Sequence, residues 1–365
     1  MKLVIVTDAW SPQVNGVVNT LLATRRELEK LGLEVHVLSP KGFRTLPCPT
    51  YPDIRLSLFP GRKVRKTLAE LSPDYIHIAT EGPLGLAARN YCVSRGLPFN
   101  TAYHTKFPEY IYARCRLPLS ISYAWIRWFH GPSRAVMVPT PAVKRELAAR
   151  DIGQLEDWSR GVNPDIFRPA TRNSVLTTGV TQPIFLYVGR VAVEKNIEAF
   201  LKLDLPGSKW VVGVGPQLAE LKAKYPGVSY FGLKTPQELA RLYQSADVFV
   251  FPSLTDTFGL VLLEAMACGT PVAAFPVPGP IDVVENGKGG VMLDDLRAAC
   301  LQALKLPRGQ VAESARRFTW ENCSRQFYDI IRRTQAPAKS AAVTSTQDTL
   351  PPAAPPYVHP RASDS

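Results

Sequence analysis

The chain has 365 residues, 45% hydrophobic and 20% charged, enough to bury one or two sizeable cores unaided, which excludes a peptide, a small disulfide scaffold and a bare zinc module. Forty-three Lys and Arg against 31 Asp and Glu give a net charge of +12, unevenly spread: residues 1–170 carry 23 basic and 14 acidic side chains, and residues 171–334 carry 18 and 15. Such an excess attracts an anionic partner, whether a phosphorylated substrate, a nucleic acid or a membrane surface, and says nothing about fold.

In chain order, short apolar strands are expected at 3–7, 34–38, 75–79, 98–102 and 135–139, with helices near 17–31, 62–71, 82–95, 119–130 and 141–150. Residues 155–182 lack a period and contain "SRGVNPDIFRP", which reads as a linker with turns. Strands resume at 183–189, 209–214, 228–231, 247–252 and 271–275, again separated by helices. Alternation of this kind predicts two α/β domains in tandem, each a doubly wound parallel sheet covered on both faces: residues 1–165 and 166–334, with a last helix at about 320–333 able to return to the first domain. Residues 335–365 are Pro, Ala, Ser and Thr with few aliphatics and are expected to be a disordered tail.

The six cysteines, at 48, 92, 115, 268, 300 and 323, form no CxxC pair and no Cys/His cluster, which points away from structural zinc and from a redox dithiol. Only Leu3 to Val6 are consecutively aliphatic before Asp8, too short for a signal-peptide core, and no run approaches the roughly 18 apolar residues of a membrane span. A cytoplasmic protein with reduced thiols, soluble or peripheral, is expected.

Doubly wound sheets bind ligands at the carboxyl ends of their strands, where the strand order reverses. After the first strand, "DAWSPQVNGVVNTLL" passes through Asn15 and Gly16 into a helix, so backbone N–H groups and the positive helix end would face an anion there. The GxGxxG fingerprint is absent at this turn, which weakens an oxidoreductase reading. Loops after the third and fourth strands carry Glu81 and His104, in "IATEGPLG" and "TAYHTKFPEY", on neighbouring positions of the presumed cleft edge.

In the second half, "FLYVGRVAVEKN" ends a buried strand at Gly189 and supplies Arg190 and Lys195, a planar fork and a point charge that suit diphosphate oxygens. The sharpest signal is "DVFVFPSLTDTFGLVLLEAMACGTPV", a strand, a loop with Asp256 and a helix with Glu264. Were the intervening residues helical, eight positions would span about 12 Å with both carboxylates near one side. One carboxylate would then hold sugar hydroxyls and the other ribose hydroxyls, with the N–H groups of Phe258, Gly259 and Leu260 facing the phosphates between them.

These residues together resemble the large family four of retaining glycosyltransferases, which have the GT-B fold of two Rossmann-like domains facing a cleft. The resemblance covers about residues 1–333. It implies that Arg190 and Lys195 bind the donor diphosphate, Glu264 the ribose, and Asp256 and His104 the transferred sugar. Gly16 matches the loop glycine that lets the acceptor approach, which makes the first domain the acceptor side and the second the nucleotide-sugar side. Asp256 stands where the family usually has Glu, and "VPGPID" replaces paired glycines, leaving Gly279 to line the sugar pocket. No D-x-D occurs, so the implied enzyme is metal-independent and without a cofactor, and the absence of a convincing side-chain nucleophile favours front-face attack.

In wording such as "HTKFPEY", "SRGVNPDIFRP" and "EGPLG", the chain is most similar to bacterial mannosyltransferases and glycolipid-forming transferases. GDP-mannose is the first expected donor, and a UDP-hexose or UDP-hexuronate passed to diacylglycerol is the alternative. Charge in the first half concentrates at Arg62, Lys63, Arg65 and Lys66 and in "YARCRLPLSISYAWIRWFH", where Arg114, Arg116 and Arg127 mix with Trp125, Trp128 and Phe129. Cations beside Trp and Leu suit the anionic inner face of the plasma membrane, and with it a lipid or glycan acceptor. A basic nucleic-acid-binding protein is the competing class, but no RNA-recognition signature, zinc finger or helix-turn-helix accompanies the charge, so nucleic acid is not expected as a partner. A sugar-nucleotide-binding protein without turnover is the third, separable by donor hydrolysis.

Overall fold

The computed structural model of the protein describes residues 1–13, 15–48, 51–171 and 174–335. Its strands in chain order are β1 (Lys2–Val6), β2 (Glu34–Leu38), a hairpin of β3 (Thr45–Cys48) and β4 (Tyr51–Ser57), β5 (Tyr75–Ile78), β6 (Asn100–Ala102), β7 (Val136–Val138) and β8 (Leu155–Asp157). The second half contributes β9 (Ile184–Val188), β10 (Ser208–Val212), β11 (Ser229–Tyr230), β12 (Val248–Phe251), β13 (Val272–Ala274) and β14 (Gly290–Met292).

Two six-stranded parallel sheets result, ordered β2-β1-β5-β6-β7-β8 and β11-β10-β9-β12-β13-β14. Near-continuous apolar runs such as IFLYV in β9, buried at every position, are what a strand covered on both faces requires. The order reverses between β1 and β5 in the first sheet and between β9 and β12 in the second. These are the two places where a doubly wound sheet opens a crevice.

On one face of the first sheet, Val64 and Leu68 of helix Gly61–Leu71, Leu84, Ala88 and Cys92 of helix Pro83–Arg95 and Phe129 of helix Leu119–His130 pack against Val4, Val6, Ile76 and Ile78. On the other, helix Gly16–Lys30 shares the core with helix Trp320–Gln335, whose Cys323, Phe327, Ile330 and Ile331 lie against Leu3, Ile5 and Trp158. The last helix therefore returns from the second sheet to complete the first. Gly161 makes that return possible: a Cβ there would sit 2.3 Å from the Trp320 amide nitrogen, and the Val162 amide beside it donates to the Phe318 carbonyl at 3.1 Å.

The structure departs from the sequence expectation in five places, the first being the unexpected β14 of the second sheet. The 155–182 segment, expected to be only turns, contributes β8 to the first sheet and buries Trp158 and Arg160. The β3–β4 hairpin and helix Phe107–Cys115 were not expected. Gln335, expected to open the tail, ends the last helix, accepts from the Ile76 amide at 2.9 Å and donates to the Ile76 carbonyl at 3.1 Å. The tail beyond it lies outside the described residues, as does the side chain of Arg114.

β5 has its edge towards β6 unpaired at Ile76, because β6 begins only opposite His77, and the Gln335 amide satisfies both backbone groups there. Gln335→Ala should therefore lower stability by about 1–3 kcal/mol through two buried, unsatisfied groups. Urea unfolding of the full chain measures this, and an unchanged midpoint would show that water replaces the amide.

Candidate functional site

At the second switch point two loops meet. The loop after β9 carries Arg190 and the turn Val193–Lys195, and the loop after β12 carries Asp256. They are tied by Asn196 Nδ2 to the Pro252 carbonyl at 3.0 Å and Thr255 Oγ1 to the Glu194 carbonyl at 3.1 Å. The Arg190 carbonyl accepts from the Tyr187 hydroxyl at 2.8 Å. Lys195 Nζ donates to Asp256 Oδ1, with both side chains largely buried. Burial works against the Lys195 charge, but Asp256, with Tyr110 and Tyr187, outweighs it and holds the ammonium above its ordinary value. The second Asp256 oxygen, Oδ2, is buried without a partner.

Helix Leu260–Ala267 begins four residues past Asp256, with Gly259 as its N-cap at φ 83°. The helical span from Asp256 to Glu264 assumed from the sequence is thus half loop, and Asp256 is positioned by the loop. Gly279, at φ 99°, lies so close that a Cβ would stand 2.8 Å from the Asp256 carbonyl, which restricts this position to glycine. The amides of Phe258, Gly259 and Leu260 donate to no group among the described residues, while the Phe258 ring is buried in the core of the second domain. Glu264 is mostly buried and accepts from the Tyr243 hydroxyl at 3.2 Å. Burial holds its carboxyl up, at about 7, against the lowering effect of that bond.

The first domain closes over this crevice. Thr257 Oγ1 donates to the His104 carbonyl at 2.6 Å, and the Ala142 amide donates to Asp282 Oδ2 at 2.9 Å. A Cβ on Gly16 would lie 3.7 Å from Leu260 Cδ1, so Gly16 and the start of helix Leu260–Ala267 are neighbours. His104 and Gly16 of the first domain therefore lie beside the loop and helix start that run from Asp256 to Leu260, the loop that Lys195 also contacts. Glu81 does not reach His104: its Oε1 faces His130 Nε2 at 3.3 Å, and His104 Nδ1 instead faces Arg160 Nη2 at 3.2 Å.

The two switch points differ at the helix that follows the strand beyond the switch. In the first, Asp8 itself fills the N-terminus of helix Pro83–Arg95, accepting from the Leu84 amide at 3.0 Å and the Gly85 amide at 3.3 Å. Burial raises the Asp8 pKa despite these bonds, and a Cβ on Gly82 would strike the carboxylate at 2.5 Å. The second switch point has two cations and unbonded amides in the same place. Sequence reasoning missed Asp8, Arg160 and Tyr110, because each acts through a neighbour distant in the chain. Only the Arg–Gly pair in "SRGVN" marked a tight passage. Among the described residues no group of three His, Cys, Asp or Glu is arranged to hold a metal ion.

Residues 14–166 match the family described as Glycosyltransferase Family 4, and residues 182–306 match Glycosyl transferases group 1. The chain is 30% identical over 317 residues to a GDP-mannose-dependent alpha-mannosyltransferase of Mycobacterium tuberculosis, covering 80% of this chain and 84% of that one. It is 27% identical over 346 residues to an alpha-monoglucosyldiacylglycerol synthase of Streptococcus pneumoniae, covering 83% and 78%. Among solved structures, sucrose-phosphate synthase from Thermosynechococcus elongatus aligns with TM-score 0.72 at 21% identity, over 91% of this chain and 98% of that one. The fold is GT-B.

Because the Glu264 carboxyl is held above its ordinary 4.5, its contribution to stability is present at low pH and lost as pH rises through about 7. Glu264→Gln removes the titration, so from pH 5 to pH 8 the wild type should lose on the order of 3 kcal/mol relative to that variant. Thermal unfolding across that range tests it, and parallel curves for the two proteins would refute the raised pKa.

Proposed function

This chain belongs to the group 1 glycosyltransferases of family four, and we propose that it moves a hexose, mannose from GDP-mannose in the first instance, onto a hydroxyl acceptor with retention. The observation that carries this reading is the second switch point, where Lys195 pairs with Asp256 on the loop ahead of helix Leu260–Ala267 and the amides of Phe258, Gly259 and Leu260 donate to no group among the described residues. Two cations and a helix N-terminus suit a diphosphate, and flanking carboxylates suit the hydroxyls on either side of it.

The ion pair gives the binding step a direction. A diphosphate entering the cleft competes for Lys195, and the Asp256 carboxylate it displaces becomes available to sugar hydroxyls. Aspartate, one methylene shorter than the glutamate usual in the family, holds the sugar from the loop rather than from the helix. Ionised Glu264 accepts from the ribose hydroxyls. In the transfer, the bond from C1 to the phosphate oxygen breaks, the acceptor oxygen bonds to C1 on the same face, and the acceptor proton passes to the leaving phosphate. Arg190, Lys195 and the amides stabilise the charge that develops on that phosphate, so this route needs neither metal nor cofactor.

A membrane lipid is the acceptor class that the surface favours. Arg62, Lys63, Arg65 and Lys66 are exposed along helix Gly61–Leu71, whose Val64 and Leu68 face the core. Phe59, 95% exposed, precedes them. Helix Leu119–His130, in the same layer, exposes Ile121, Trp125 and Trp128. Among the described residues no helix is long and apolar enough to cross a membrane, so attachment would be peripheral, at the inner face of the plasma membrane. This surface equally supports the second reading, a UDP-hexose or UDP-hexuronate passed to diacylglycerol.

GDP-mannose with EDTA present should raise the melting temperature of the wild type, since a ligand of the folded state stabilises it, and Glu264→Ala should lose most of that shift. A selective shift with a UDP-sugar would replace the first reading by the second, and a shift that required a divalent cation would overturn the metal-free route. In a separate assay, changing Arg62, Lys63, Arg65 and Lys66 together to Ser should release the protein from anionic vesicles, each cation being worth about 1 kcal/mol near such a surface. Retained binding would place the contact elsewhere.

A further inference from the structure

We propose that Arg160 is a positioning residue that fixes His104 in the form protonated at Nε2, so that His104 meets the substrate as a hydrogen-bond donor and never as a base. The identity of that substrate rests on the function proposed above; the geometry does not. A guanidinium only donates, so the Arg160 Nη2 facing His104 Nδ1 at 3.2 Å requires a lone pair on Nδ1. The single proton of a neutral ring is then on Nε2. A second proton, on Nδ1, would set N–H against N–H.

Arg160 cannot turn aside to avoid this. It is 4% exposed, its Nη1 donates to the carbonyls of Trp158 at 2.5 Å and Ser159 at 2.9 Å, and its guanidinium lies 4.3 Å from the Trp158 ring centre. The same indole meets the His104 ring edge-on, with centroids 5.5 Å apart. A cavity of about 390 Å³ borders Arg160 together with Ser159, Asn322 and Gln326.

The charged and titratable groups acting on His104 are Arg160 from the crossing segment and His77 from β5. Burial first, then these two, hold its pKa well below the ordinary value. Glu81, the carboxylate that would have raised it, is taken by His130. Nε2 is buried with no partner, a cost that a binding site recovers when a ligand acceptor arrives. The His104 carbonyl is tied by Thr257 to the loop that carries Asp256. The His104 backbone is thus tied to the loop whose Asp256 has an unused oxygen.

The test is long-range proton–nitrogen correlation NMR of the full chain labelled with 15N-histidine, with the His104 signals identified by their loss in His104→Asn. The wild type should show a protonated Nε2 and a bare Nδ1, unchanged from about pH 8 to about pH 5.5. Arg160→Lys keeps a donor at Nδ1 and should preserve the pattern, whereas Arg160→Met should give mixed tautomers that titrate. With a competent donor and acceptor, Arg160→Met should lower kcat about tenfold, the effect of one lost hydrogen bond, with KM little changed and a new acid limb in the kcat profile. A wild-type His104 protonated at Nδ1, or titrating near its ordinary value, overturns the proposal even if Arg160→Met does not fold. The expected spectrum in a protein that transfers no sugar would sink the proposed function and leave this assignment standing.

Discussion

The ion pair between Lys195 and Asp256 joins the two loops that leave the second sheet where its strand order reverses, and the rest of the cleft is built around it. Two opposite charges held this close inside a largely buried crevice have few alternatives to each other. In the proposed function, the ligand that separates them supplies an anion for Lys195 and hydroxyls for Asp256. A nucleoside diphosphate sugar carries the two on adjacent groups. On that proposal, the charge pattern of the resting site favours this class before any contact to the base is considered.

Both sheets offer the same crevice, but the helix after the strand beyond the switch is used differently in each. In the first sheet Asp8 is spent on the amides of Leu84 and Gly85, so the helix end that would attract a phosphate already holds a carboxylate. In the second, the equivalent amides follow Asp256 and are unbonded. The first domain is thereby directed to other work. It covers the cleft with the His104 loop and turns a basic, Trp-bearing helical layer outward. The last helix, which crosses back at Gly161 and ends on Ile76 through Gln335, couples the two halves, since residues from both ends of the chain share one core.

Arg160 and His104 show how the crossing segment reaches the site. His104 alone is an ambiguous group, able to accept, donate or take up a proton. Packed against a guanidinium that itself cannot rotate away, it retains one option. The contact sits beneath the cleft, between a loop of the first sheet and the passage to the second.

The amino-acid sequence by itself determined the two sheets, most strand positions, and the places of Lys195 and Asp256 on loops after strands, because each is local: period, turn residues and spacing are written within a few residues of one another. It also marked Gly16 and His104 by their places after strands. It placed Asp256 in a loop, but it did not reveal that the loop runs on to Gly259, whose positive φ delays the helix until Leu260. Nor did it reveal β8, the role of Gln335, the partner change from Glu81 to Arg160, or the filling of the first crevice by Asp8. Each of these is settled by a contact between segments far apart in the chain. Whether such a polar group is free or already satisfied depends on what folding brings against it, and only the tertiary structure decides that.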